Sequence, residues 1–481
     1  MPSPSLLQRL KERKLVQWAL AYLAGAMFIV KPFDGLISLM GIVPMTTRVT
    51  AYWSVQRSDR SPSTLRGVGG QVPAAFLVAL LLGCAGDGAP APALEPPALS
   101  EPIEHLASVA VREPMVVEHP QGALFVAGFT QAIEESGQPP KLFRSVDAGA
   151  TWERVSVGTP TQGAVGNSDV DLAVAPDGTL YFLTMGFDRT KGEGTHVAVG
   201  VSRDIGETWT WTYLSQDRFD DRPWIEVAPD GVAHVIWNDG QGVSYAVSTD
   251  SGNTWTERAR VHPQGGSSHL AVGPEGEIAV RITPQSASGN RYHEGVDLIA
   301  VSMDGGTTWE KLTLPGNRVW GPSLSDPGGL PRWVEPVAWD AEGALYYLWS
   351  EGSYLWLARS RDYGRTWESW SIVSGQERLY FPFLAARGPG QLAATWFSGF
   401  GNDLRAHVAL IDTRGSTQPS VRSTDPFRLD SWVLTGGSPV PATGGEYLPV
   451  IFLSDGDLGV VAPIQNIPEN RRGFSWYRVS F

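Results

Sequence analysis

The chain has 481 residues, a net charge of −13, 54 glycines, 36 prolines, 19 tryptophans and one cysteine. That density of Gly, Pro and Trp suits a turn-rich β protein rather than a helical one. The lone Cys84 excludes an intrachain disulfide, and the acidic balance disfavours nucleic acid or an anionic membrane surface as a partner. From residue 100 onward 28 Lys+Arg stand against 45 Asp+Glu, a balance of −17, so the acidity belongs to the body of the chain. No His/Cys cluster has zinc spacing, and neither a Gly-rich phosphate loop nor G-x-S-x-G occurs. The Asp-Gly turns lack the full ligand spacing of a calcium loop, so no metal or cofactor is expected.

The amino-terminal region departs from the rest. Basic residues at Arg9–Lys14 precede an apolar run, Leu15–Val30. As a helix it would span about 24 Å, slightly short of a ~30 Å hydrocarbon core. It reads as a membrane helix with its basic end in the cytoplasm, the alternative being a buried or interfacial helix. A second run, VPAAFLVALLLGC, resembles the end of a bacterial lipoprotein signal. Arg57, Arg60 and Arg66 lie upstream, and Leu81-Leu82-Gly83-Cys84 stands as the lipobox, implying lipidation at Cys84; the alternative is a chance apolar stretch. Two tandem membrane signals are redundant, which points to a true start near Met45. The chain divides into 1–44, a membrane-helix region or over-extended start; 45–84, a lipoprotein-type signal; 85–101, a Pro/Ala-rich tether; and 102–481. The last part is expected outside the cytoplasm, anchored to the cell envelope.

Two interleaved repeats fill residues 102–481. The first is an apolar strand, a turn with Gly and a second apolar strand, with turn glycines Gly122, Gly178, Gly231, Gly276, Gly343, Gly390 and Gly456. The second is an octad, Ser-x-Asp-x-Gly-x-Thr-Trp, beginning at Ser145, Ser202, Ser248, Ser302 and Ser360. Its aspartates, Asp147, Asp204, Asp250, Asp304 and Asp362, accept bonds within a tight turn, and its glycine supplies positive φ. Each octad follows its hairpin glycine by 17 to 26 residues, so the two motifs form one unit. The expected fold is all-β: a β-propeller of seven four-stranded blades, with six as the alternative. Residues IDTRGST near Asp412 are a candidate degenerate sixth octad. The last strand candidate, Phe474–Val479, needs an outer neighbour, and His105–Val111 is the candidate to supply it and close the ring.

Alignment on the turn glycines places Glu113, Asp169, Arg222, Ser267, Val334, Phe381 and Tyr447 nine residues before each glycine, with Glu335 one step off and Arg112 beside Glu113. These positions ring one mouth of the channel, as a site or as a solvated opening.

The octads are similar to the Asp-box, or BNR repeat, of the sialidase-like β-propellers. That resemblance implies that the five octad aspartates are structural and lie on the side away from the ligand. It also implies a Tyr nucleophile, a Glu that takes the phenol proton, three arginines on a substrate carboxylate and an Asp acid/base. Tyr447, eight residues before the turn Asp455-Gly456, matches the nucleophile. Glu335 matches its base, and Arg112 matches one arginine. The set is incomplete. One arginine position falls near Ser350 and another at Gly128-Phe129, and the acid/base stretch offers only Glu134 and Glu135.

Two functions follow as expectations. The first is a non-catalytic module, a monomer that binds a glycan or an envelope protein at the channel mouth. Trp224, Trp333, Phe381 and Tyr447 would stack on sugar rings or pack in the core. The alternative is an exo-α-sialidase-type glycoside hydrolase with Tyr447 and Glu335 as catalytic pair and Arg112 and Arg222 as carboxylate contacts, beside Glu113 and Asp169. An assembly factor that contacts a protein along its rim is a third, weaker reading.

Overall fold

In the computed structural model the described residues are 96–130, 137–263, 266–283, 295–296, 298–316, 319–320, 335–375, 377–399, 404–414, 417–432, 446–466 and 469–481. The membrane-helix and Cys84 readings, and Glu134, Glu135, Trp333 and Val334, lie outside them. Among the described residues no helix is long and apolar enough to cross a membrane.

Among the described residues seven blade sheets follow one another along the chain, antiparallel throughout but for Ser431–Trp432, which runs parallel to Gln465-Asn466 at the edge of blade 7. Blade 1 comprises Arg112–Glu118, Leu124–Phe129, Lys141–Ser145 and Glu153–Arg154. Blade 2 comprises Val170–Val174, Leu180–Asp188, Glu193–Ser202 and Thr210–Ser215. Blade 3 runs from Asp220–Val227 to Thr256–Glu257, blade 4 from Gly266–Val272 to Glu310–Thr313, and blade 5 from Val337–Trp339 to Glu368–Ser374. Blade 6 runs from Leu379–Ala386 to Ser420–Ser423. Blade 7 holds Val450–Phe452, Leu458–Asn466 and Arg471–Ser480. The first strand of each blade touches the first strand of the next, and that of blade 7 touches that of blade 1, so the ring is closed.

Closure uses the start of the body. Ile103–Leu106 pairs antiparallel with the last strand, in the register Ile103↔Trp476 to Leu106↔Gly473, and Ala98–Leu99 continues it. The sequence places this outer strand at His105–Val111; it begins earlier. Because the fourth strand of blade 7 arrives from the other end of the chain, no turn joins its third and fourth strands. That is why blade 7 carries no octad.

The five octads fold alike. The Ser145 hydroxyl donates to Asp147 Oδ1 at 2.8 Å and accepts the Gly149 N–H at 2.9 Å. Asp147 in turn accepts the Thr151 N–H at 2.8 Å and the Thr151 hydroxyl at 2.6 Å. The same bonds recur from Ser202, Ser248, Ser302 and Ser360. The residue before each octad glycine has positive φ as well (Ala148, Ile205, Ser251, Gly305, Tyr363), which gives the twist of a mirror-type hairpin turn. The Thr hydroxyl, then the Thr N–H, hold the Asp147, Asp250 and Asp362 carboxyls down at about 2.

Four of the five octad glycines also lie against an aromatic ring of the preceding blade; a Cβ at the fifth, Gly364, would meet Ile299 and Leu312 of blade 4 at 3.5 Å. A Cβ would stand 2.1 Å from Trp476 at Gly149, 3.0 Å from Phe125 at Gly206, 2.9 Å from Tyr181 at Gly252 and 2.0 Å from Tyr245 at Gly306. The octad therefore joins neighbouring blades as well as turning a hairpin. The core fills the gaps between blades: Tyr181, Leu183, Val235 and Trp237 between blades 2 and 3, and Tyr346, Leu348, Leu392 and Trp396 between blades 5 and 6. Burying each such side chain contributes about 1.5–3 kcal/mol.

Candidate functional site

Alternation of antiparallel strands sorts the loops onto two faces. The hairpin turns after each first strand and the octads after each third strand lie on one face. The starts of the first strands and the loops between second and third strands lie on the other. The octad aspartates are thus on the opposite face from Glu113, Asp169, Arg222 and Tyr447.

A bulge aims three of the mouth residues. In blade 1 the register jumps between Arg112↔Phe129 and Met115↔Ala127, leaving Glu113-Pro114 opposite Gly128. Blade 3 does the same at Arg222-Pro223 and blade 6 at Phe381-Pro382. Proline has no N–H to lose at a bulge. The residue before it adopts a left-handed conformation each time: φ is 44° at Glu113, 50° at Arg222 and 49° at Phe381. That backbone costs a non-glycine residue on the order of 1 kcal/mol. Gly128 is required opposite, since a Cβ there would stand 2.4 Å from the Val111 side chain.

The bulges and their neighbours gather a charged cluster from blades 7, 1, 2 and 3. Glu113 is half-buried, and burial, followed by the charges of Asp169 and Glu446, raises its carboxyl well above the usual range against the pull of Arg112 and Arg222. Burial and then Asp221 push Asp169 up to about 6, with Arg222 opposing. Burial works against the charge of Arg222, but Glu446, Tyr447, Asp221 and Asp169 outweigh it and raise its guanidinium further. Arg222 stands 3.9 Å from the Glu446 carboxylate. Tyr447 is buried, edge-on to Trp224 with ring centroids 5.4 Å apart. Burial and then Glu113 raise its phenol well above 10.

A third arginine joins them that sequence reasoning missed. Arg189 follows the second strand of blade 2, and Nη2 donates to the Asn167 carbonyl at 3.2 Å. Asn167 fastens that strand end through two bonds with the Phe187 backbone, 2.8 and 3.1 Å, and the guanidinium lies 4.6 Å above the Phe187 ring. Burial lowers its pKa, Asp169 opposes, and the like charge of Arg112 adds to the lowering. Arg112 donates to Gln465 of blade 7 at 3.5 Å. The Nε atoms of Arg112 and Arg189 are both buried with no hydrogen-bond partner among the described residues. The sequence signal was position: Arg189 occupies a loop between second and third strands, which opens onto the mouth.

The remaining predicted residues fall differently. Glu335 is fully buried, and its Oε2 accepts from Arg281 at 2.6 Å and from the Tyr347 hydroxyl at 2.5 Å. The carboxylates that set the electrostatics of Tyr447 are Glu113, Asp169 and Glu446. Trp224 and Phe381 pack in the core with Tyr447. Ser267 lies in the first strand of blade 4. Among the described residues no group of His, Cys, Asp or Glu gathers closely enough to hold a metal ion.

What the cluster can do chemically follows from its charges. Three guanidiniums offer a planar anion several donors. Two carboxyls whose pKa values are pushed up, one to about 6, suit proton transfer near neutrality. A phenol beside them becomes a nucleophile when a carboxylate takes its proton.

No protein-family model matches this chain, and no curated protein matches it. Among solved structures, an ulvan lyase of a polysaccharide lyase family aligns with TM-score 0.47 and 12% identity over 79% of this chain and 96% of its own. An α-L-arabinanase of Penicillium chrysogenum aligns with TM-score 0.43 and 14% identity over 80% and 98%. A Hadza microbial sialidase aligns with TM-score 0.38 and 16% identity over 66% and 65%. The fold assignment rests on the chain's own strand pairing: it is a seven-bladed β-propeller, consistent with the sialidase-like resemblance of its octads.

Proposed function

We propose that this protein is a carbohydrate-active propeller whose channel mouth takes a carboxylate-bearing sugar and hydrolyses its glycosidic bond. The observation that carries the proposal is the convergence of Arg112, Arg189 and Arg222 on one set of carboxylates beside Tyr447. The arginines would hold the sugar carboxylate. Tyr447 would attack the anomeric carbon as a neighbouring carboxylate draws off its proton, and Glu113, whose neutral form burial favours, would donate to the leaving oxygen. The carboxylates that surround Tyr447 here stand in for Glu335, the base expected of an exo-sialidase.

Titration of the purified protein with sialic acid and with a uronic acid tests this reading. Binding should weaken about 10- to 100-fold in Arg189→Ala, since a lost charged hydrogen bond costs about 1.5–3 kcal/mol. Equal affinity in wild type and Arg189→Ala would contradict it. A second reading, a non-catalytic glycan-binding module, is favoured by one observation: Glu335 is committed to Arg281 and Tyr347. It predicts binding with no turnover.

Attachment to the cell envelope through a lipidated Cys84, and a monomeric state, belong to the same proposal. The first rests on the lipobox Leu81–Cys84. Incorporation of labelled fatty acid into wild type but not Cys84→Ala would support it, and no incorporation into wild type would end it.

A further inference from the structure

The chain enters the propeller body from the octad face. Third strands run from the mouth face to the octad face, so the last strand, Arg471–Ser480, ends on the octad face. Ala98 pairs with Ser480 and Leu99 with Val479, and the Ser100 N–H donates to the Arg478 carbonyl at 2.8 Å. Arg478 in turn pairs with Asp455 and Asp457 at the hairpin turn of blade 7, on the same face. Ile103–Leu106 then runs toward the mouth, where Leu106 pairs with Gly473. The chain ahead of Ala98 therefore joins the body at the octad rim of blade 7.

The reach from Cys84 decides which face it brings to a membrane. Thirteen residues, 85–97, separate Cys84 from Ala98. A chain of that length reaches about 45 Å at full stretch and about 20 Å as a coil. Turning the mouth to the membrane would carry it along the side of blade 7, past the ten residues of the last strand, about 33 Å. The coil falls short of that, and full extension costs chain entropy. The octad face needs no such detour. It also presents exposed apolar side chains: Val146, Met303, Tyr363 and Phe481, from blades 1, 4, 5 and 7. Asp177, Asp230, Glu275, Glu342 and Asp455 stand exposed on its hairpin turns, which disfavours anionic headgroups.

We infer that the octad face is turned toward the membrane, against a zwitterionic bilayer surface, and that the mouth opens away from it. The inference rests on the anchoring at Cys84 proposed above. It adds an orientation, which the strand pairing of blade 7 sets.

Fluorescence quenching on vesicles tests it. Cys84 is the sole cysteine, so once it is lipidated an introduced cysteine is the one free thiol. The full chain carries either Met303→Cys, on the octad face, or Tyr354→Cys, at the mouth-face turn of blade 5. Each is labelled with a fluorophore and bound to phosphatidylcholine vesicles that contain a headgroup quencher. Both side chains are exposed, so both variants should keep the wild-type thermal midpoint. The fluorophore at position 303 should lose most of its emission, and that at position 354 should keep it. Quenching at 354 as strong as at 303, or quenching at neither while the protein still co-sediments with the vesicles, would overturn the orientation and leave the anchor standing. Wild type that does not co-sediment would end the anchoring reading, and the inference with it.

Discussion

Glu113 combines two costs in one residue: a left-handed backbone and a carboxyl whose ionised form burial disfavours. Neither serves folding. Glu113→Gly removes both, so it should raise the thermal midpoint by about one degree, an effect of about 1 kcal/mol, while abolishing turnover; differential scanning calorimetry and an activity assay check the pair of outcomes. Asp169 predicts the pH dependence. Its carboxyl sits at about 6, so a reaction that needs it ionised falls off as pH drops through 6, and Asp169→Asn should remove that limb from the rate profile. Register counted from the turn glycines was enough to bring Glu113, Asp169, Arg222 and Tyr447 into one list, because the hairpin repeat is local and its phase is kept. Arg189 escaped because loops between second and third strands vary in length and hold no fixed phase. The partners of Glu335 escaped too: Arg281 lies 54 residues away on another blade, and nothing local couples them.

The octad is the element that made the fold readable. Ser, Asp, Gly and Thr at fixed spacing satisfy one another within eight residues, so the turn depends little on its surroundings. In four of the five copies its glycine has a second role that spacing does not reveal, the close approach to an aromatic ring of the preceding blade. Gly306→Ala would meet both a positive φ and the Tyr245 ring, and should destabilise by about 2–4 kcal/mol, more than Tyr245→Phe, which keeps the ring. Denaturant unfolding of the two variants measures the difference. Blade 7 has no octad for a topological reason, since it borrows its fourth strand from the start of the body.

The ring as a whole depends on that borrowed strand. Deleting residues 96–106 leaves Arg471–Ser480 with an unpaired edge, so the truncated protein should unfold at lower temperature and associate through the exposed strand. Several carboxyls bear on the ring's pH stability. Burial raises Asp171 to about 7 and Glu226 to about 8, and each accepts a backbone N–H from the next blade's first strand, Ile225 at 2.9 Å and Val272 at 2.8 Å. A carboxyl with a raised folded-state pKa binds more protons folded than unfolded between the two values. Stability should therefore rise as pH falls from 8 toward 5. Asp147, Asp250 and Asp362, held near 2 by the Thr hydroxyl and N–H of their octads, have the opposite sign and lose stability only below about 4, so the thermal midpoint should peak on the acid side of neutrality.

Turnover of fluorogenic glycosides of sialic and uronic acids by wild type and Tyr447→Phe tests the central claim most directly. The account predicts that wild type releases the fluorophore from an acidic glycoside. It also predicts that Tyr447→Phe loses at least 100-fold in rate while still binding the sugar. Turnover that persists unchanged in Tyr447→Phe, or a wild type that neither binds nor cleaves any acidic sugar, would contradict it.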